Sequence, residues 1–409
     1  VSPEILTFGC RLNAYESEVI RGHAAALADS IVVNTCAVTA EAERQARQAI
    51  RRAHRARPDA AIIVTGCAVQ IDPAAWQALP GVTRVLGNQE KLRPESWASG
   101  AAGGVGDIAG ARAAEAPVVA EFAGRARGFV QVQQGCDHRC TFCVIPFGRG
   151  PSRSVPAGAV VAQARALVAA GCREIVLTGV DITSYGADLP GRPSLGQLAR
   201  RLLALVPDLP RLRFSSLDPC EIDEDLWRLL AEEPRVMPHL HLSLQSGSDL
   251  ILKRMKRRHA RAQALATIAR ARALRPGLAI GADLIAGFPT ETEALFQETL
   301  DFLAEADLPL LHVFPYSERA GTPAARMPAV PVAQRRARAA ALREAGAAAA
   351  ARFRAGLRGA RIAVLAERGG EGHSEHFLPV TLAAAAAPGE LVAARVTGEA
   401  AGRLLAEAL

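Results

Sequence analysis

Short apolar runs of strand type alternate with longer helix-compatible stretches along most of this chain, and that alternation leaves few folds open to it. Near the start, Ile5–Phe8, Ile31–Asn34 and Ile62–Thr65 are such runs, with helix-compatible segments such as Glu41–Arg57 after them. Parallel strands need long crossover connections, so the pattern predicts a parallel sheet joined by helices. Each run ends in a cysteine: FGC at Cys10, NTC at Cys36 and TGC at Cys67. Ligands of open parallel sheets bind beyond the carboxyl ends of the strands, so three thiols placed there converge on one edge. A single strand-end cysteine reads as a small buried hydrophobe. Three in equivalent positions read as ligands of a metal or cluster that keeps one coordination position open.

The alternation then resumes for longer. Strands are expected near Phe129–Gln134, Glu174–Thr178, Leu212–Ser216, His239–Leu244, Ala279–Ile285 and Leu310–Phe314. Six βα units of this type suit a parallel barrel, complete or partial, whose active site lies in the loops after the strands. Directly after the first of them comes GCDHRCTFC, with Cys136, Cys140 and Cys143 in C-x3-C-x2-C spacing. Three thiolates this close can hold three irons of a [4Fe–4S] cluster and leave the fourth iron open. A zinc site completed by His138 is the competing reading, although structural zinc sites usually use two separated ligand pairs.

The expected organisation is α/β and multidomain. Residues 1–117 form the N-terminal parallel α/β unit and a Gly/Ala-rich linker, and 118–330 form the partial barrel. Residues 331–356 form an Arg/Ala-rich helical connector, and 357–409 a β-rich tail. The formal net charge of +7, from 48 basic and 41 acidic residues, fits a nucleic-acid partner without demanding one. Eight cysteines are too sparse for a disulfide scaffold. No charged-then-apolar leader and no run of about eighteen apolar residues is seen, so a cytoplasmic protein without a membrane partner is expected.

The cysteine motif, with the aromatic Phe142 before its last cysteine, resembles that of the radical S-adenosylmethionine (SAM) enzymes. The preceding three-cysteine unit narrows the resemblance to the methylthiotransferases, and it runs through nearly the whole chain: TFGCRLNAYESE, VVNTCAVT, VTGCAVQ, LTGVDITSYG, LSLQSGSD, IAGFPTET and FPYSERAGTPAARM. The tail looks like a TRAM domain, a small RNA-binding β-barrel. The opening GCRLNAYESE is most similar to members acting on N6-threonylcarbamoyladenosine in tRNA. Members acting on isopentenyladenosine usually open with a GCQMN-type segment, and those acting on a ribosomal protein with GCPKN.

The resemblance implies two [4Fe–4S] clusters. One, on Cys136, Cys140 and Cys143, would bind and cleave SAM; the other, on Cys10, Cys36 and Cys67, would hold or donate sulfur. It also implies a tRNA anticodon stem-loop as partner, an external one-electron reductant and a sulfur donor. By strand-end position, Gly179, Ser215, Gln245 and Gly287 are further candidates for SAM contacts. Ser216 and Ser246, next to two of them at the same strand ends, are candidates on the same ground. The basic run from Leu252 to His259 and the tail residues Arg352, Arg354, Arg358 and Arg361, with Phe353 and Phe377, are candidates for RNA contact. Cys172 precedes its strand and reads as structural, and Cys220 as a bystander. A zinc-stabilised RNA-binding protein without catalysis is the alternative from another class.

Overall fold

The computed structural model describes residues 3–119, 122 and 125–409. The first unit is a four-stranded parallel sheet in sequential order, β1 (Glu4–Thr7), β2 (Ser30–Thr35), β3 (Ala61–Gly66) and β4 (Val82–Leu86). The first three strands and the helix Ala40–Ala56 match the sequence pattern. The fourth strand is an addition. Its short run VTRVL carries an arginine among its apolar residues, which hides it from a search for apolar runs.

The Gly/Ala-rich stretch after this sheet is more than a tether. Gly104 bridges to Leu86 of β4, and Ile108 and Ala111 are buried.

The central unit follows the predicted six positions closely. β5 (Arg127–Gln131) continues as β6 (Gln133–Gln134), which pairs with β7 (Arg153–Ser154) beyond the cysteine loop. β8 (Glu174–Thr178) and β9 (Arg211–Phe214) complete a three-stranded parallel sheet with β5. Ser215 interrupts the third predicted strand, which resumes as β10 (Ser216–Leu217). β10 then starts a parallel sheet with β11 (His239–Gln245), β12 (Ala279–Ala286) and β13 (Leu310–Pro315). Among the described residues no pairing returns from β13 to β5, so the barrel is partial. The helix Arg11–His23 of the first unit packs on β5, with Leu12, Tyr15 and Val19 entering the central core beside Val130 and Val132. One lip of the opening is therefore covered, whereas the inner face of β13 is not.

The helix Val332–Gly356 is packed along β12 and β13. Its Arg338 is buried and bonds Glu291 at 3.0 Å. The tail is a closed barrel in the order β14 (Arg361–Ala366), β15 (Glu371–Ser374), β16 (Pro379–Leu382), β18 (Arg403–Ala408) and β17 (Leu391–Ala400). It closes over Ile362, Val364, Val380 and Leu404, and closure removes exposed strand edges. It docks under the amino ends of the central strands. Arg211 donates to Ala363 O at 2.7 Å, Arg213 to Glu375 O at 3.2 Å, and Arg127 lies 3.4 Å from Glu367. Among the described residues no helix is long and apolar enough to cross a membrane.

Candidate active site

The three strand-end thiols of the first unit do converge. At Gly9, where φ is +95°, a Cβ would lie 2.7 Å from Cys36 Sγ, so only glycine lets the first loop come this near. Asn13 ties the strand ends together, donating to Phe8 O at 2.7 Å and to Thr35 O at 2.9 Å. Behind the thiols lies a buried charge network. Lys91 Nζ is 2.6 Å from Glu16 Oε2, and Arg149 donates to Glu16 Oε2 at 2.9 Å, to Asn13 Oδ1 at 2.6 Å and to Cys67 Sγ at 3.0 Å. Burial alone would raise the Glu16 carboxyl; Arg149 and Lys91 instead bring it down to about 2. Burial, then the neighbouring Cys67 and Cys10, pushes the Cys36 thiol up to about 12.

The second trio sits in the loop after β6. Gly135 turns the chain at φ +70°, where a Cβ would meet Pro151 O at 1.9 Å. Backbone bonds fix the loop: Cys136 N to Gly150 O and Cys143 N to Cys140 O, each at 3.1 Å. Thr141 adds a bond from its hydroxyl to Arg254 O at 2.8 Å. Arg257 bonds Asp218 at 2.9 Å and Ser243 O at 2.7 Å, and its Nη1 lies 3.7 Å from Cys140 Sγ. Burial pushes the Cys143 thiol up to about 11. Phe142, Val180, Asp181, Ser216, Ser243 and Gln245 help line a cleft of about 160 Å³ against this loop.

Both trios suit a cluster better than a single ion. Neither brings its three sulfurs within 4.8 Å of one another. Thiolates on one tetrahedral zinc, at about 2.3 Å each, would stand only about 3.8 Å apart. His138, the candidate fourth zinc ligand, is bonded to Asp181 at 2.8 Å, and of the trio only Cys136 groups closely with these two. Crowded thiols that resist losing their protons are the groups whose ionisation a bound cationic centre favours. The two trios also meet. The helix Ile145–Arg149, which follows Cys143, packs on the helix Cys67–Ile71, and Cys67 lies close enough to Cys143 to help push its thiol up.

Comparisons with known proteins agree with this geometry. The Radical SAM superfamily matches residues 130–303, and residues 3–87 match the uncharacterized protein family UPF0004. The chain is 49% identical to the threonylcarbamoyladenosine tRNA methylthiotransferase MtaB of Rickettsia prowazekii, over 97% of this chain and 94% of that protein. It is 40% identical to the MtaB of Bacillus subtilis, over 78% and 74%. The chain belongs to the radical SAM methylthiotransferase family. A tRNA-2-methylthio-N6-dimethylallyladenosine synthase of Maricaulis maris is 36% identical, over 79% of this chain and 77% of that protein. Among solved structures, the radical SAM methyltransferase TsrM of Kitasatospora setae shares the fold. It has a TM-score of 0.53 and 17% identity, over 77% of this chain and 67% of that one. As a methylthiotransferase of this family, the chain is an enzyme that uses SAM and two [4Fe–4S] clusters.

The other candidates of this methylthiotransferase divide. Phe142 lines the cleft and meets Phe288 edge-on at 6.4 Å. Gln245 lines it too, at φ +71°. Gly179, just before the lining residue Val180, packs tightly on β6, since a Cβ would lie 2.7 Å from Gln133 O, and is not itself part of the lining. Ser215 is buried with its amide bonded to Leu177 O, and of these two neighbouring candidates Ser216 lines the cleft. Adjacent strand residues face opposite ways, so the register decides between them. Gly287 also differs from expectation. It abuts Arg335 of the long helix, 2.7 Å from where a Cβ would lie, and is not part of the cleft lining.

The basic run does not act as a unit. Arg257 turns inward to the cysteine loop, Arg254 bonds Thr290 O and Arg258 pairs with Glu221, leaving Lys253 and Lys256 exposed. In the tail, Arg352 pairs with Asp307 and Arg354 with Glu399. Phe353 packs against the tail core, whereas Phe377 sits between the two barrels beside His239. Cys172 bonds Glu174 O, at the amino end of β8, and Cys220 bonds Asp218 at the edge of the site.

Sequence reasoning did not single out Arg149, Asp181 or Asp218. Arg149 and Asp181 lie in the motifs VIPFGRG and GVDITSYG, but a buried pairing across domains leaves no local signal.

Proposed function

We propose that this enzyme inserts a methylthio group at C2 of N6-threonylcarbamoyladenosine in tRNA, 3′ of the anticodon. The observation that carries this reading is the meeting of the two thiol trios through Arg149, Cys67 and the helix after Cys143. Two MtaB proteins among the relatives support the choice of substrate.

Cys136, Cys140 and Cys143 would hold the SAM-binding cluster, and Cys10, Cys36 and Cys67 the auxiliary one. When bound, these groups and SAM supply a one-electron cleavage, a radical able to take the unactivated C2 hydrogen, a sulfur and a methyl group. An external reductant provides the electron.

The chain's own residues position and shield. Arg257, fixed by Asp218 and Ser243 O, places a cation beside Cys140. Arg149 does the same for Cys67. Phe142, backed by the buried ring of Phe288, walls one side of the cleft, which limits water where a radical would otherwise be quenched. Ser216 and Ser243, bonded at 2.7 Å, and Gln245 offer polar contacts on the opposite strands. The adenine has to leave its stack to present its C2 edge, which a single-stranded loop makes cheap.

The test is mass spectrometry of nucleosides from bulk tRNA of a strain lacking the gene. Loss of the methylthio form, with threonylcarbamoyladenosine accumulating, is expected. Loss of methylthio-isopentenyladenosine instead would overturn the substrate.

A further inference from the structure

The uncovered face of β13 leads from the cleft to a second group of polar residues. Along this strand His312 and Phe314 share one face, and both are exposed, His312 by 57% of its side chain and Phe314 by 42%. His312 lies in register with Asp283 of β12, and its Nδ1 is 3.2 Å from Asp283 Oδ1. From the other side, His241 Nε2 is 3.0 Å from the same oxygen. His241 stands two residues before Ser243 on β11, whose register shifts between Leu242 and Gln245, and Ser243 and Gln245 line the cleft, so the His–Asp–His group adjoins the cleft along this strand.

Arg11 reaches into the same space from the N-terminal helix. Arg213 and Arg127 on one side and Asp283 and Glu174 on the other act on its charge, and its guanidinium lies 5.5 Å from the Phe377 ring centroid. Arg127 and Arg213 also stand over that ring, and both share the carboxylate of Glu174. Among the described residues Arg11 makes no hydrogen bond or ion pair. A half-buried guanidinium whose donors pair with neither neighbouring carboxylate is free to take an anion. Its fork matches a carboxylate. The His–Asp–His group has a donor set suited to a divalent cation, but the three neighbouring arginines oppose one.

The distances suit one arm of the substrate. Adjacent same-face positions on a strand are about 6.6 Å apart. The threonylcarbamoyl arm places its carboxylate four bonds beyond N6, or about 5 Å. We propose that the open face of β13 receives the substituted adenine, with Arg11 pairing with the carboxylate of its threonylcarbamoyl arm and His312, braced by Asp283, bonding the arm's polar groups. This rests on the substrate proposed above and assigns its specificity to residues outside both thiol trios. An isopentenyl arm would strip water from these charged groups and return nothing.

The test is direct binding by fluorescence anisotropy, using cluster-loaded enzyme and anticodon stem-loops bearing threonylcarbamoyladenosine, isopentenyladenosine or plain adenosine at the same position. The wild type should bind the first most tightly. Arg11→Gln should raise its Kd by about tenfold to a hundredfold, as expected for losing one charge-assisted pair. The plain loop should keep its Kd, and Arg11→Lys should recover part of the difference. His312→Ala, which is remote from the cysteines, should weaken only the threonylcarbamoyl loop and serves if Arg11→Gln loads iron poorly. Equal weakening of all three loops, or unchanged preference in both variants, would overturn the subsite alone. A wild type that prefers the isopentenyl loop overturns the substrate reading and the subsite together.

Discussion

Arg149 Nε donates to Cys67 Sγ at 3.0 Å, so the helix that follows one thiol trio holds a member of the other. The same guanidinium is bound to Glu16 and Asn13 and is fully enclosed. Replacing it leaves Glu16 with Lys91 as its remaining charge partner. Breaking such a buried set costs about 3–5 kcal/mol. Arg149→Met should therefore lose iron from the auxiliary trio first, falling from about eight irons per chain toward about four for two [4Fe–4S] clusters. Iron analysis with absorbance spectroscopy checks this; full retention of iron and stability would remove the role assigned to Arg149.

The trios should separate by function. Alanine at Cys136, Cys140 or Cys143 should abolish reductive SAM cleavage. Alanine at Cys10, Cys36 or Cys67 should stop methylthiolation while leaving some cleavage. Chromatography of 5′-deoxyadenosine beside nucleoside mass spectrometry reads both at once. Normal methylthiolation by the second group of variants would contradict the division.

Acid should loosen the tail. Glu174 is enclosed by Arg127, Arg211 and Arg213, the three arginines that also reach the tail barrel. Burial would raise its carboxyl, yet these arginines hold it down at about 2. A carboxyl depressed below its unfolded value of about 4.3 stabilises the fold above that pH. The contribution is lost as pH falls from there toward 2. Proteolysis near residues 356–361 should accelerate over that window. Glu174→Gln should be cut readily at neutral pH, with a flatter pH dependence.

Lys253 and Lys256 are the exposed, unpaired members of the basic run. If they face RNA phosphates, Lys253→Gln with Lys256→Gln should weaken stem-loop binding uniformly across the three loops and lower the salt slope by roughly one per lysine. An unchanged slope would place both lysines on a merely solvated face.

Much of this was legible beforehand. Strand positions came through because parallel strands buried on both faces read as apolar runs, and β8 begins and ends where the pattern places it. The six cysteines stood out by spacing and strand-end position. The surroundings of Ser215 and Gly287 were not legible, because a strand interruption at Ser215 and the approach of Arg335 depend on partners far along the chain. Arg257 was hidden for a related reason: within a run of basic residues, nothing local marks the one that turns inward to Asp218.

The loops at Gly9 and Gly135 show how little of the thiol placement belongs to the cysteines themselves. A cysteine carries its sulfur one bond beyond Cβ, so the main chain has to travel almost the whole way to the metal. At each of these loops it does so by a turn that leaves no room for a side chain on the preceding residue. The Gly-Cys pair is thus a single geometric unit. A methyl group added at either glycine would displace a sulfur while leaving every ligand in the sequence intact, producing an enzyme with all six cysteines and fewer than two clusters.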